Sequence, residues 1–217
     1  MPRKVKSAKP LIYVFCEGES EQAYTDYLKK TFSDVAVLKR PPDTGLFEEA
    51  EAKFSKSPKY KNSIDVTDEI WFFFDVETKD VGKWEQRLKI INRLRKLRRK
   101  PGIRVRLLMT TGCIEYWLML HYKMYVPPLQ SVADKERVIA EVKAIEPAYS
   151  KGDYPSTARI AENYPTAVVN AEKTVYHLLQ DGLPGMDDTD ERNRWLYTSC
   201  KTFSTVYEAI NYLEEIN

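Results

Sequence analysis

The sequence predicts an α/β fold, a parallel sheet flanked by helices and followed by a helical C-terminal extension. Three observations carry this. Short β-forming runs alternate with helical periodicities over the first ~120 residues. The longest such run, Glu69-Ile-Trp-Phe-Phe-Phe74, is apolar at consecutive positions, as in a strand covered on both faces. After Tyr125-Val-Pro-Pro128 the strand pattern stops and only helical patterns follow.

Leu11-Ile-Tyr-Val-Phe15 reads as the first buried strand. Cys16-Glu-Gly-Glu-Ser20 turns, and Ser20 is placed to cap a helix over 21–32, where Tyr24, Tyr27, Leu28 and Thr31 recur at helical spacing. Val35–Leu38 reads as a second strand, Arg40-Pro-Pro-Asp-Thr-Gly45 as a break, Leu46–Ser57 as a helix and Ser57–Ser63 as a loop. The strand 69–74 follows, then a loop Asp75–Asp80 and a long helix 83–100 stopped by Pro101-Gly102. In 103–109, Arg104 and Arg106 alternate with Val105 and Leu107, which predicts a strand at the outside of the sheet. Thr110-Thr-Gly-Cys113 turns into an apolar helix, 114–121. Helices are expected near 131–145, 155–163, 166–181 and 203–216. The organisation expected is a basic N-terminal tail (1–10), an α/β domain (11–125) and a mainly helical region (126–217) packed on it.

Composition narrows the class. With 43% hydrophobic and 30% charged residues the chain reads as an ordinary globular protein. No apolar run approaches the ~20 residues of a membrane span, and the apolar run after the basic start is too short for a signal-peptide core. Cys16, Cys113 and Cys200 are odd in number and widely spaced, which points to a reducing, cytoplasmic setting and away from a disulfide framework. Residues 1–110 hold 24 Lys/Arg against 16 Asp/Glu, whereas 111–217 hold 10 against 16. A net +8 on the first half suits an anionic partner. The asymmetry equally suits attraction between the halves or to another subunit, so a homo-oligomer stays open.

Ligands of open parallel sheets collect outside the carboxyl ends of the strands. Glu17 follows the first strand, Asp75 and Glu77 follow the third, and Glu115 opens the helix after the fourth. Taken singly, each has an ordinary explanation; Glu17, Glu19 and Glu21 suit a helix start, for instance. Together they place acids from three strand ends on one rim. Packed carboxylates repel unless a cation neutralises them, and all-oxygen donors suit Mg²⁺ or Mn²⁺. Gly18 allows close backbone approach.

These segments carry a resemblance. Val14-Phe-Cys-Glu-Gly-Glu-Ser-Glu-Gln-Ala-Tyr24 resembles the opening motif of the RloB family. Phe74-Asp-Val-Glu77 resembles its acidic second motif, and Cys113-Ile-Glu-Tyr-Trp-Leu-Met-Leu-His121 a later one. Ala148-Tyr-Ser-Lys-Gly-Asp-Tyr154 is a weaker echo. The resemblance implies a Toprim-like, Rossmann-like sheet similar to the nuclease parts of OLD-type phage-defence systems. It implies Glu17 as catalytic acid/base or metal ligand and Asp75 and Glu77 as holders of Mg²⁺ or Mn²⁺. A DNA or RNA substrate and an OLD-like ATPase partner come with it. The second motif here is Asp-x-Glu where Toprim domains have Asp-x-Asp.

The helix 83–100 carries nine basic residues against Glu85 alone, which suits a phosphate backbone, with Arg95, Arg98 and Arg99 the densest part. Lys79 and Lys83 lie nearer the acidic rim and are candidates for contact with a scissile phosphate. His121, on an apolar helix, reads as a packed core histidine. There is no GxxxxGK[ST] loop, so an ATPase within this chain is not expected. With the acidic rim, the RloB resemblance implies a metal-dependent nuclease of DNA or RNA. The rival is a non-catalytic module that binds nucleic acid or a protein partner.

Overall fold

The computed structural model describes residues 9–217; residues 1–8 of the expected basic tail lie outside the described residues. Four parallel strands, β1 (Leu11–Cys16), β2 (Val37–Lys39), β3 (Thr67–Val76) and β4 (Arg104–Thr111), form one sheet in the order β2-β1-β3-β4. The order reverses between β1 and β3, which makes their carboxyl ends the topological switch point. Between the strands run α1 (Glu19–Thr31), α2 (Phe47–Lys56), the short α3 (Pro58–Lys61) and α4 (Trp84–Arg95). After β4 come α5 (Ile114–Leu120), α6 (Val132–Ile145), α7 (Tyr154–Ala161), α8 (Tyr164–His177), α9 (Asp190–Thr198) and α10 (Tyr207–Glu215).

β3 is interior, as its sequence predicts. Ile70, Trp71, Phe72, Phe73 and Phe74 are all fully buried. Successive residues serve opposite faces: Phe72 stacks on Phe47 of α2 at 4.2 Å, and Phe73 meets Tyr24 of α1 edge-on at 6.1 Å. Thus α1 and α5 share one face, joined by Tyr24 against Trp117 and His121, and α2 and α4 share the other. The apolar core runs without a break from Ile12 to Leu213, so the helical region is continuous with the sheet's core.

β4 lies at the edge, as expected, but its outer rim is not left bare. Thr111 N donates to Phe203 O (3.0 Å) and Thr205 N to Met109 O (2.8 Å), so the 203–205 segment covers the unpaired edge. Arg106 is buried, not solvent-facing. It pairs with Glu69 of β3 while its guanidinium lies 4.9 Å from the Tyr212 ring.

Four other expectations change. The helix expected over 83–100 stops at Arg95, where continuing it would set Arg95 against Arg99 and Lys96 against Lys100 at the unfavourable i,i+4 spacing, and a 3-10 turn over Thr78–Lys83 precedes it. Ser20 does not cap α1; Gly18 occupies that position, and Ser20 Oγ instead accepts from Gly152 N at 3.1 Å. β2 lies two residues later than expected. The helix α9 was not expected, since Arg192 and Asn193 occupy part of its buried face.

His121 is fully buried, as its apolar surroundings predict. Its Nδ1 faces Trp117 O (3.0 Å), which can only accept, so Nε2 is the unprotonated nitrogen that receives the Tyr24 hydroxyl (3.1 Å). Burial pulls its pKa down to about 4. A depressed histidine contributes fully above the unfolded value near 6.5 and loses that contribution as pH falls toward the folded value. Wild type should therefore lose about 2–3 kcal/mol of stability from this group between pH 7 and 4.5. Urea unfolding of wild type and His121→Asn at both pH values checks this. The gap between them should narrow in acid, and a constant gap would contradict it.

Candidate active site

The rim at the switch point is built by backbone bonds that tie three strand ends together. Glu17 N donates to Phe73 O (3.0 Å), so the residue after β1 is held against β3. Asp75 N in turn donates to Glu17 Oε2 (2.9 Å). Gly112 N donates to Val76 O (3.0 Å), which places the turn before α5, and so Glu115, beside the same rim.

The result is a cavity of about 310 Å³ lined by Glu17, Glu21, Asp75, Glu115 and Lys151. Glu17, Asp75 and Glu115 meet there as the sequence predicts. Glu21 joins them unannounced, being 4% exposed where a first-turn acid would ordinarily face water. A Cβ at Gly18 would stand 2.9 Å from the Glu21 carboxylate, so any side chain there displaces that acid. Glu115 is fully buried and takes the Tyr149 hydroxyl (2.9 Å) and Lys151 Nζ (3.3 Å) on Oε1. Tyr149 and Lys151 come from the loop before α7. That loop is seated by Gly152, where φ is +74° and a Cβ would stand 2.9 Å from Glu19 Cβ, so both the backbone and the space favour glycine.

The electrostatics are those of acids short of a cation. Burial, then repulsion from Glu17 and Glu115, pushes Glu21 up to about 7. Burial, then repulsion from Glu21, Glu17 and Glu115, holds Asp75 well above the usual carboxylate range. Glu17 is raised by desolvation, against the pull of its backbone bond and of Arg87. Arg87 itself is caged by Phe47, Phe74 and Tyr197, with ring centroids 5.1–5.3 Å from its guanidinium carbon. Burial lowers the Lys151 ammonium, but the Glu115 charge outweighs it and leaves the group raised.

Glu77 does not join the cavity. Both its oxygens are taken by lysines, Oε1 by Lys135 of α6 and Oε2 by Lys79. Desolvation raises its pKa, but those two bonds outweigh it and leave the carboxyl lowered. Lys83 pairs with Asp80 (2.6 Å). Arg95, Arg98 and Arg99 sit at the other edge of the sheet, because α4 runs about 18 Å back from the rim at 1.5 Å per residue. Arg95 is forked onto Asp190 (2.8 Å), and Arg98 donates to the backbone of Asp65 (2.8 Å) and Pro101 (2.7 Å). Arg99 is exposed. These three do not reach the carboxylates.

Among the described residues, no three His, Cys, Asp or Glu side chains are grouped closely enough to form a ready-made metal site. The donor chemistry still fits a hard divalent cation. All four acids offer oxygen, and Asp75 Oδ1 and Glu115 Oε2 are buried without a hydrogen-bond partner among the described residues. Glu21, Asp75 and Glu115 are the residues that would hold such an ion, with Glu17 alongside.

The comparisons with known proteins agree with the motifs. The family model described as RloB-like protein matches residues 12–213. That span takes in every acid of the cavity and the loop bearing Lys151. No curated protein matches the chain.

Proposed function

The chain belongs to the RloB-like protein family, and from its site we propose a divalent-cation-dependent nuclease that hydrolyses phosphodiester bonds in DNA or RNA. The observation that carries this reading is the cavity at the switch point, where Glu17, Glu21, Asp75 and Glu115 face one another and Lys151 is the lining cation. A phosphodiester needs its anionic charge offset and an attacking water deprotonated. When bound, Mg²⁺ or Mn²⁺ supplies positive charge to a phosphoryl oxygen and acidifies nearby water. Glu17 is the base in this reading. Its Oε2 is fixed by Asp75 N, its other oxygen is free to take the water proton, and its raised pKa suits that task. Lys151 is placed to donate to the charge that builds on the phosphoryl oxygens. A role in phage defence beside an OLD-like ATPase belongs to the same proposal and rests on the family resemblance.

The test is incubation with plasmid, single strands and tRNA in Mg²⁺ or Mn²⁺. Glu17→Ala should slow cleavage about 10²–10⁴-fold. Cleavage that persists unchanged in Glu17→Ala sinks the assignment.

A further inference from the structure

Beside the acid cavity lies a second one, of about 300 Å³, with the opposite character. Lys79, Lys135, Thr78, Gln130 and Ser131 line it together with the apolar Leu129 and Val132, and Glu77 enters from the rim. Two ammonium groups against one carboxylate leave it net positive, two residues along the chain from Asp75. The segment leading into α6 also lines it, but its Gln130 and Ser131 N–H groups are taken by Asp134. The charge available to a ligand is therefore that of the lysines.

A carboxylate held on both oxygens by two lysines occupies the place that a phosphate would take with the same partners. Lys79 is largely exposed and Lys135 a quarter exposed, so the cavity is open to a chain passing over the rim. Gln130 is fixed by Thr78, whose hydroxyl donates to Gln130 Oε1 at 2.6 Å, and this gives the wall a set shape. We propose that this cavity is a subsite for a backbone phosphate of the nucleic acid, flanking the reacting one, and that Glu77 fills it until the strand arrives. The proposal rests on the nuclease reading for its ligand, and it gives Glu77 a different task from holding metal.

Metal-free binding separates the two. In EDTA, fluorescein-labelled oligothymidylate is titrated into the full chain at several salt concentrations. Lys135→Gln should weaken binding about 5- to 10-fold and lower the slope of log K against log salt by about 0.7, the loss of one single-strand phosphate contact. Lys135→Arg should keep the slope. Glu77→Gln should tighten binding by a similar factor, whereas Glu215→Gln, an exposed acid elsewhere, should not. An unchanged slope in Lys135→Gln, or no tightening in Glu77→Gln, overturns the subsite while leaving the nuclease reading in place. No binding by wild type overturns the subsite, and cleavage by wild type in Mg²⁺ or Mn²⁺ decides the nuclease reading separately.

Discussion

Glu21→Gln is expected to make the protein more stable at pH 8 in chelator and, at the same time, less active. The folded pKa of Glu21 stands at about 7 against an ordinary value of 4.5. A carboxyl raised in this way contributes fully below the unfolded value, and its contribution is lost as pH rises through the folded one. At pH 8 the loss is complete, on the order of 3 kcal/mol, and a neutral isostere removes it. The Tm should rise by about 5–10 °C for a chain of this size. Adding Mn²⁺ should stabilise wild type and do much less for the variant, because the cation relieves the same repulsion. Cleavage should fall together with the metal response. Thermal unfolding at pH 8, with EDTA and then with Mn²⁺, checks this. A variant less stable than wild type in EDTA would mean that Glu21 is satisfied by its surroundings.

The second large effect is structural. Glu69 and Arg106 are each about 5% exposed, and Glu69 Oε2 accepts both Arg106 Nε (3.2 Å) and Trp71 Nε1 (2.6 Å). Glu69→Ala should cost about 3–5 kcal/mol, because it strands a buried guanidinium and frees an indole N–H. Removing both partners, as Glu69→Met with Arg106→Met, should recover part of that loss, because no guanidinium is then left stranded. Urea denaturation measures both, and a single variant within about 1 kcal/mol of wild type would contradict the account. The pair sits where β3 and β4 begin their register, Glu69 opposite Arg104 and Asp75 opposite Thr110. Loosening it should therefore also slip the rim.

The parts of this architecture that were legible in the sequence are those set by local pattern. Unbroken apolar character marked β3 as interior, and alternation marked β4 as the edge. Strand ends followed by acids brought Glu17, Asp75 and Glu115 to one rim, because a parallel sheet with right-handed crossovers leaves its carboxyl ends on one side. What escaped depends on contacts distant in sequence. Glu21 looks like a helix-start acid until the loop bearing Tyr149 and Lys151 closes over it. Its signal was position alone, one turn beyond Glu17 on the same rim. Glu77 looks like a partner of Asp75 until Lys135 arrives from α6. Arg95, Arg98 and Arg99 form a basic stretch by composition, yet composition does not show that Arg95 and Arg98 are engaged within the fold. Their carboxylate and carbonyl partners, Asp190 and Asp65, are likewise remote in sequence.

We propose that the four acids form one cation-holding cavity to which Glu77 does not contribute. Crystals grown without metal and soaked in Mn²⁺ test it most directly, through an anomalous difference map at the manganese absorption edge. A peak is expected at bonding distance from Asp75 and at least one of Glu21 and Glu115, absent in Asp75→Asn, with Glu77 still on Lys135. Soaked crystals with no peak in that cavity, or with the ion on Glu77 instead, would contradict it.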